Sequence, residues 1–257
     1  MGIQQQVIVI TGASSGFGEL IARRCATAGA RLVLAARTTD KLEQLAAELG
    51  GPQRAIAVPT DVTSDDDVAR MIERAIGHFG RIDVLVNNAG FGLLDRIADA
   101  PLADLQHMMD VNVYGAIRCT RAVLPHMLAR RNGQIVMMAS LGGLVWAENM
   151  GYYVGTKFAL VGISRTLMVE LGGSGVHCAL ICPGIARTGF QQYADEAKYP
   201  RLSRLSTVSA EKVAQATEQA IARRLHGELI IPWYGRILAT AAAVFPGMAR
   251  IVMRLLR

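Results

Sequence analysis

Tyr153 and Lys157 stand four residues apart, and Ser140 lies thirteen positions before the tyrosine. On a helix, a four-residue step puts two side chains on one face, a turn apart. A free phenol has a pKa of roughly 10 and is a poor base near neutrality. An ammonium fixed beside it favours the phenolate and lowers that pKa. The Ser140 hydroxyl can hold a carbonyl or alkoxide oxygen in front of the phenol. The three groups together suit proton exchange with an alcohol or a carbonyl oxygen. Tyr152 is the rival phenol, but only Tyr153 has the spacing to Lys157. A tyrosine and a lysine at this spacing also occur as an ordinary helix surface pair. The elements around them must decide.

Those elements alternate. Val7 to Ile10 is a short apolar run, as expected of a strand buried on both faces. It leads into Thr11-Gly-Ala-Ser-Ser-Gly-Phe-Gly18, and a helical pattern follows over 19–29. Strand, glycine-rich turn and helix form the context of a phosphate site, with the helix N–H groups facing the anion. Gly12 permits the tight turn, Gly16 lets backbone approach a pyrophosphate, and Gly18 lets the helix pack close to the sheet. A second strand, 31–37, ends in Ala36-Arg37 where the adenosine ribose of a dinucleotide belongs. A carboxylate there would repel a 2′-phosphate, whereas a guanidinium pairs with it. This favours NADP(H) over NAD(H).

Thr38-Thr39-Asp40 reads as the cap of a helix over 41–49. A third strand, 55–58, ends at Asp61-Val62. Asp61 is read either as a partner for an adenine amino group or as the cap of the helix over 65–79. The fourth strand, 82–86, runs into Asn87-Asn-Ala-Gly90, residues suited to lining a cleft, bracing neighbouring strands or turning the chain. A helical run over 102–131 carries one polar interruption around Asn112, a residue unfavourable there unless its side chain is used. Strand 134–139 delivers Ser140, and a helix over 152–171 carries Tyr153 and Lys157. A sixth strand, 176–182, ends in Pro183-Gly184, where backbone could approach a nicotinamide amide. The mixed, polar stretch 189–207 reads as a substrate lid. A helix over 210–225 and a short strand, 228–231, complete the pattern. The alternation predicts an α/β, doubly wound Rossmann fold: one domain with a mostly parallel seven-stranded sheet and helices on both faces.

Composition agrees with that class. The chain has 257 residues, 51% of them hydrophobic and 5% aromatic, with a net charge of +6. The charge suits an anionic cofactor or a membrane surface but is too modest to argue for nucleic acid. Cys25, Cys119, Cys178 and Cys182 form no Cys-x-x-Cys pair, and no His/Cys cluster has zinc spacing, so no metal site is expected. The N-terminal residues carry no arginine-rich or signal-like pattern, which predicts a cytoplasmic protein.

The glycine-rich turn, Asp61-Val62, Asn87-Asn-Ala-Gly90, Asn112, Ser140, Tyr153-x-x-x-Lys157 and Pro183-Gly184 with Thr188 occur in one order over about 5–235. In this the chain resembles the classical short-chain dehydrogenase/reductase (SDR) family. The resemblance implies that Tyr153 is the general acid/base and that Lys157 lowers its pKa and holds the nicotinamide ribose. It implies that Ser140 orients the substrate oxygen and that Asn112 anchors a water relaying protons through Lys157. It further implies cofactor contacts at Gly12, Ser14, Ser15, Gly16, Phe17, Gly18, Arg37, Asp61, Val62, Asn88, Ala89, Gly90, Pro183, Gly184 and Thr188, besides Tyr153 and Lys157. Hydride from the B face of the nicotinamide and a homodimer or homotetramer also follow from it. Phe17 and Ala139 depart from the residues usual in the family at their positions, without threatening the chemistry.

The expected domain spans 1–235, and 236–257 forms an apolar, basic extension. From 230 onward the chain contains arginines and no acidic side chain, and its longest uncharged stretch is too short to span a bilayer. It reads as a segment packed on a partner subunit or over the pocket, the favoured reading, or as a basic amphipathic helix on an anionic membrane. Between Ser140 and Gly151 the only charged residue is Glu148, which suits a mainly apolar substrate, steroid-, retinoid- or fatty-acyl-like. The expected activity is NADP(H)-dependent interconversion of a ketone or aldehyde and an alcohol. The alternative is an NADP(H)-binding sensor without turnover, which would need the glycine turn but not the Ser–Tyr–Lys–Asn set.

Overall fold

The computed structural model describes residues 2–186 and 207–255, with side chains described up to Ile251. Seven strands form one sheet: β1 (Val7–Thr11), β2 (Arg31–Ala36), β3 (Ala55–Pro59), β4 (Val84–Asn87), β5 (Gly133–Met138), β6 (Val176–Pro183) and β7 (Gly227–Ile231). Their spatial order is β3-β2-β1-β4-β5-β6-β7, and every neighbouring pair is parallel. The strand order reverses between β1 and β4. In an open parallel sheet, the crevice beyond the carboxyl ends at such a switch point is where a ligand binds.

Alternate side chains of each strand serve opposite faces, as the two-residue period requires. Val7 and Val9 of β1 join one core, with Val33, Ile135, Cys178 and Leu180. Ile8 and Ile10 join the other, with Leu32, Leu34, Val136 and Ile181. The first core is covered by helices α3 (Asp65–Phe79), α5 (Gly115–Ala129) and α6 (Gly151–Glu170). The second is covered by α1 (Gly16–Thr27), α2 (Thr39–Glu48) and α7 (Ala210–Ala222). All four cysteines are buried and free. Burial raises each thiol to about 12, which keeps them protonated and inert near neutrality.

Several local expectations change. The first helix begins at Gly16, inside the glycine turn. Thr38 occupies the cap position of α2 but makes no side-chain cap bond. Asp61 does not cap α3: Ser64 does, its Oγ accepting from the Asp67 amide at 3.2 Å. Asp61 instead closes a local turn, its Oδ1 accepting from the Thr63 amide and hydroxyl at 2.9 and 2.8 Å. The expected helix over 102–131 is α4 (Leu102–Met109), a π-helical turn (Asp110–Tyr114) and then α5. The wider turn contains Asn112, the polar interruption in the pattern. The lid expected at 189–207 lies outside the described residues except for Thr207. The tail forms two short helices, α8 (Gly235–Val244) and α9 (Pro246–Leu255), rather than one.

Candidate active site

The carboxyl ends of β1, β4, β5 and β6 bring the chemistry-bearing residues to one edge of the sheet. β5 ends at Met138, so Ser140 leaves the strand at the sheet edge. Its hydroxyl accepts from the Gly142 amide at 3.0 Å and reaches the Pro183 carbonyl at 3.5 Å, tying the end of β5 to that of β6. The first turns of α6 carry Tyr153 and Lys157, both buried. The lysine Nζ sits 5.7 Å from the centroid of the tyrosine ring, within cation–π range. It donates to the Met138 carbonyl at 3.1 Å, which clamps the side chain beneath the strand end. Burial lowers the Lys157 pKa from 10.5 to about 8. A Cβ on Gly142 would lie 3.4 Å from Ser140 Oγ and 3.5 Å from Tyr153 Cε1. One point thus touches both residues, and the small residue there keeps the space between them open. The Tyr152 hydroxyl donates to the Ala100 carbonyl at 3.2 Å, anchoring that phenol to the loop before α4.

Asn112 is 1% exposed, and its carboxamide makes three hydrogen bonds. Its Oδ1 accepts from the Phe91 amide at 2.9 Å, and its Nδ2 donates to the Phe91 carbonyl at 2.8 Å and to Thr156 Oγ1 at 3.1 Å. The Thr156 hydroxyl in turn donates to the Tyr153 carbonyl at 2.8 Å. The asparagine therefore pins the segment after β4 to the turn of α6 that carries tyrosine and lysine. Gly90 faces this corner closely: a Cβ there would lie 3.0 Å from Asn112 Oδ1 and 3.7 Å from Lys157 Nζ.

The glycine turn is built for close approach. Gly12 and Gly16 have φ of 65° and 59°, a region that disfavours side chains. A Cβ on Gly18 would meet the Gly12 carbonyl oxygen at 2.2 Å and Asn88 Nδ2 at 2.6 Å. The first turn of α1 thus sits directly on the backbone of the turn. Its cap residue, Ser15, makes no side-chain cap bond, which leaves the first-turn N–H groups available to an anion. The Ala13 amide donates to the Ala35 carbonyl at 3.1 Å, and Phe17 packs on the core between the sheet and α1, α2 and α7. Ser14 is half-buried and Ser15 exposed. Arg37 is exposed just beyond β2. Val62 is buried, and a Cβ on Gly115 would meet its Cγ2 at 2.7 Å, so this side chain packs under α5. These residues fit a bound dinucleotide: the turn is lined by glycines, and among the described residues no capping hydroxyl competes for its first-turn N–H groups.

Asn88 Nδ2 donates to the Thr11 and Gly12 carbonyls at 3.0 and 3.2 Å. The Asn88 and Ala89 amides both donate to Thr11 Oγ1, at 3.0 and 3.1 Å. The cross-bracing expected of the 87–90 segment is present, and Thr11 is its hub. Thr11 and Thr156 were not singled out from the sequence; a threonine at a strand end or inside a helix face carries no distinguishing pattern. The Gly184 amide donates to the Ile231 carbonyl at 2.6 Å, so it extends the β6–β7 ladder and is not free for a nicotinamide. Thr188 lies outside the described residues.

An apolar shelf borders the phenol. Leu94, Met108, Met150 and Tyr153 form a small buried cluster of their own, with Phe91 and Leu93 packed against it. Two cavities lie elsewhere: a polar one of about 450 Å³ at the opposite sheet edge, between Gln6, Arg81 and Gln134, and a groove of about 710 Å³ between α6 and α8. Neither touches Tyr153 or Ser140, and the site is located by its chemistry instead.

Comparison with known proteins agrees with this geometry. The family model described as short chain dehydrogenase matches residues 6–198. An uncharacterized oxidoreductase from Staphylococcus epidermidis is 33% identical, over 87% of this chain and 94% of that protein. The Escherichia coli oxidoreductase UcpA is 44% identical over 70% of this chain and 69% of its own. A protein named 11-beta-hydroxysteroid dehydrogenase 1A, from Arabidopsis thaliana, is 39% identical over 73% of this chain and 54% of its own. Among solved structures, a Burkholderia phymatum short chain dehydrogenase/reductase in complex with NAD superposes with a TM-score of 0.86 at 29% identity, covering 96% of each chain. A Brucella melitensis 3-ketoacyl-(acyl-carrier-protein) reductase complexed with NADH gives 0.81 at 27% identity, over 89% of this chain and 97% of that one. The chain belongs to the short-chain dehydrogenase/reductase family of oxidoreductases.

Proposed function

We propose that this protein is an NADP(H)-dependent oxidoreductase that interconverts a ketone or aldehyde with the corresponding alcohol on a lipophilic substrate. The observation that carries the proposal is the Lys157 ammonium lying over the Tyr153 ring, with the Ser140 hydroxyl across Gly142, at the carboxyl edge of the sheet. A nicotinamide dinucleotide bound there supplies the hydride donor or acceptor. The chain's own residues handle position and protons. The first-turn amides of α1 hold the pyrophosphate against Gly12, Gly16 and Gly18. Ser14, Ser15 and Phe17 shape that turn, and Asn88, Ala89 and Gly90 wall the cleft beside it. Arg37 pairs with the 2′-phosphate, while Asp61 and Val62 flank the adenine. In reduction, Tyr153 gives its proton to the substrate oxygen that Ser140 orients, and Lys157 stabilises the phenolate left behind. Asn112 holds the corner in which a water at Gly90 reaches Lys157 and resupplies the proton.

The preference for NADP(H) rests on Arg37 and the absence of a carboxylate beside it, because the two solved neighbours hold NAD and NADH. The lipophilic substrate rests on the shelf of Leu94, Met108 and Met150 beside the phenol. The steroid named for the Arabidopsis relative is consistent with such a shelf. The test is a screen of aliphatic, steroidal and aromatic ketones and aldehydes, following NADPH absorbance. The proposal expects turnover with apolar members and slower turnover with NADH. Turnover with none, or a preference for NADH, overturns it.

A further inference from the structure

Single exposed apolar side chains are ordinary; a contiguous run of them marks a contact. Of fourteen large hydrophobic residues exposed among the described residues, eight fall between Trp233 and Ile251. Trp233 is 74% exposed, Ile237 59%, Val244 61%, Phe245 56%, Met248 58% and Ile251 60%. Helix α8 buries only Gly235 and Ala242. Among the described residues of the single chain, nothing covers this apolar face, so its partner lies elsewhere.

Charge decides what covers it. From 229 to the end, the chain carries Arg236, Arg250, Arg254 and Arg257 and no aspartate or glutamate. Arg236 and Arg250 are exposed among the apolar side chains. A second copy docked on this face across a two-fold axis would set arginines against arginines, with no acid of the segment to offset them. An anionic surface complements them. Trp233 and Tyr234, at the entry to α8, are the residue types favoured at membrane–water interfaces. In the sequence of α9, Met248, Ile251, Val252 and Leu255 recur at helical spacing, and Arg250 and Arg254 recur separately at the same spacing. Each helix has ten residues, and no helix among the described residues is long and apolar enough to cross a membrane.

We propose that α8 and α9 dock the enzyme on the surface of an anionic bilayer, lying in the interface with apolar side chains in the acyl boundary and arginines at the headgroups. The test is flotation of the full chain with vesicles of phosphatidylcholine alone and of phosphatidylcholine mixed with phosphatidylglycerol, at low and high salt. The protein floats with the mixed vesicles, loses binding in high salt, and binds phosphatidylcholine at least tenfold more weakly. Arg250→Ala weakens binding roughly fivefold, the effect of one basic residue near an anionic surface. Phe245→Ser with Met248→Ser abolishes binding while leaving the unfolding temperature and NADPH affinity unchanged. Three results overturn the proposal. The first is no flotation with mixed vesicles. The second is equal binding to both vesicle types. The third is an oligomer, seen by light scattering, that Phe245→Ser dissociates in a protein that binds no vesicle, which would make the face a subunit interface.

Discussion

Replacing Gly18 by alanine adds one methyl group where the structure has no room for it. The new Cβ would sit 2.2 Å from the Gly12 carbonyl oxygen and 2.6 Å from Asn88 Nδ2. Ordinary contact needs about 3.5 Å, so the first turn of α1 must retreat by roughly 1 Å. Asn88 cannot swing aside freely, because its Nδ2 holds the Thr11 and Gly12 carbonyls at 3.0 and 3.2 Å. Overpacking of this kind costs about 1–3 kcal/mol, which lowers the unfolding temperature by about 3–10 °C in a chain of this size. The same retreat pulls an amide from a phosphate oxygen. One charge-assisted hydrogen bond is worth about 1.5–3 kcal/mol, so NADPH binding weakens roughly ten- to hundredfold. Calorimetric titration of the folded variant with NADPH measures that loss, and thermal unfolding measures the strain. The control is Gly77→Ala, inside α3, where an added Cβ meets nothing within 4 Å. It should gain up to about 1 kcal/mol in stability and leave binding unchanged. If Gly18→Ala loses stability but binds NADPH like the wild type, the first turn of α1 is not the anion cradle.

In Gly90→Ala the added methyl group, 3.0 Å from Asn112 Oδ1 and 3.7 Å from Lys157 Nζ, crowds the corner assigned to a relaying water. Turnover should fall about tenfold or more with unchanged NADPH affinity; full activity would remove the water from the account. Lys157 titrates at about 8 in the folded chain against an ordinary 10.5. Between those values the unfolded chain binds the extra proton, so this group adds stability as pH rises through that window and loses it as pH falls through about 8. In urea unfolding, the wild type should gain on Lys157→Met across that range; a constant difference would contradict the depressed pKa. Arg37→Asp should reverse the preference between NADPH and NADH, by about tenfold or more on each side. An unchanged ratio of kcat/KM values would show that the guanidinium does not meet the 2′-phosphate.

The sequence was most informative where chemistry depends on local spacing. Gly12, Gly16 and Gly18 declared a strand-turn-helix junction because each backbone demand selects glycine over every other residue. Tyr153 and Lys157 could be paired because a helix converts a four-residue step into a shared face. Contacts between distant elements were less legible. Thr11 gathers the Asn88 and Ala89 amides across the sheet edge, and only the β1–β4 neighbourhood creates that role. Asn112 stood out as a misfit in a helical run, but its use, clamping Phe91 to Thr156, requires the π-helical turn. Asp61 and Ser64 both carry oxygens able to cap the same helix, and only the folded geometry gives the cap to Ser64 and the local turn to Asp61. The tail reads as one packed segment or one amphipathic helix, whereas its division at Phe245-Pro246 and what its two helices face depend on the rest of the chain.

Tyr153→Phe removes one atom, the hydroxyl oxygen proposed to exchange a proton with substrate oxygen. The account predicts NADPH affinity and unfolding temperature close to the wild type, with carbonyl reduction slowed by at least about a hundredfold. A phenylalanine variant that reduces the same carbonyl within a few-fold of the wild-type rate would contradict it.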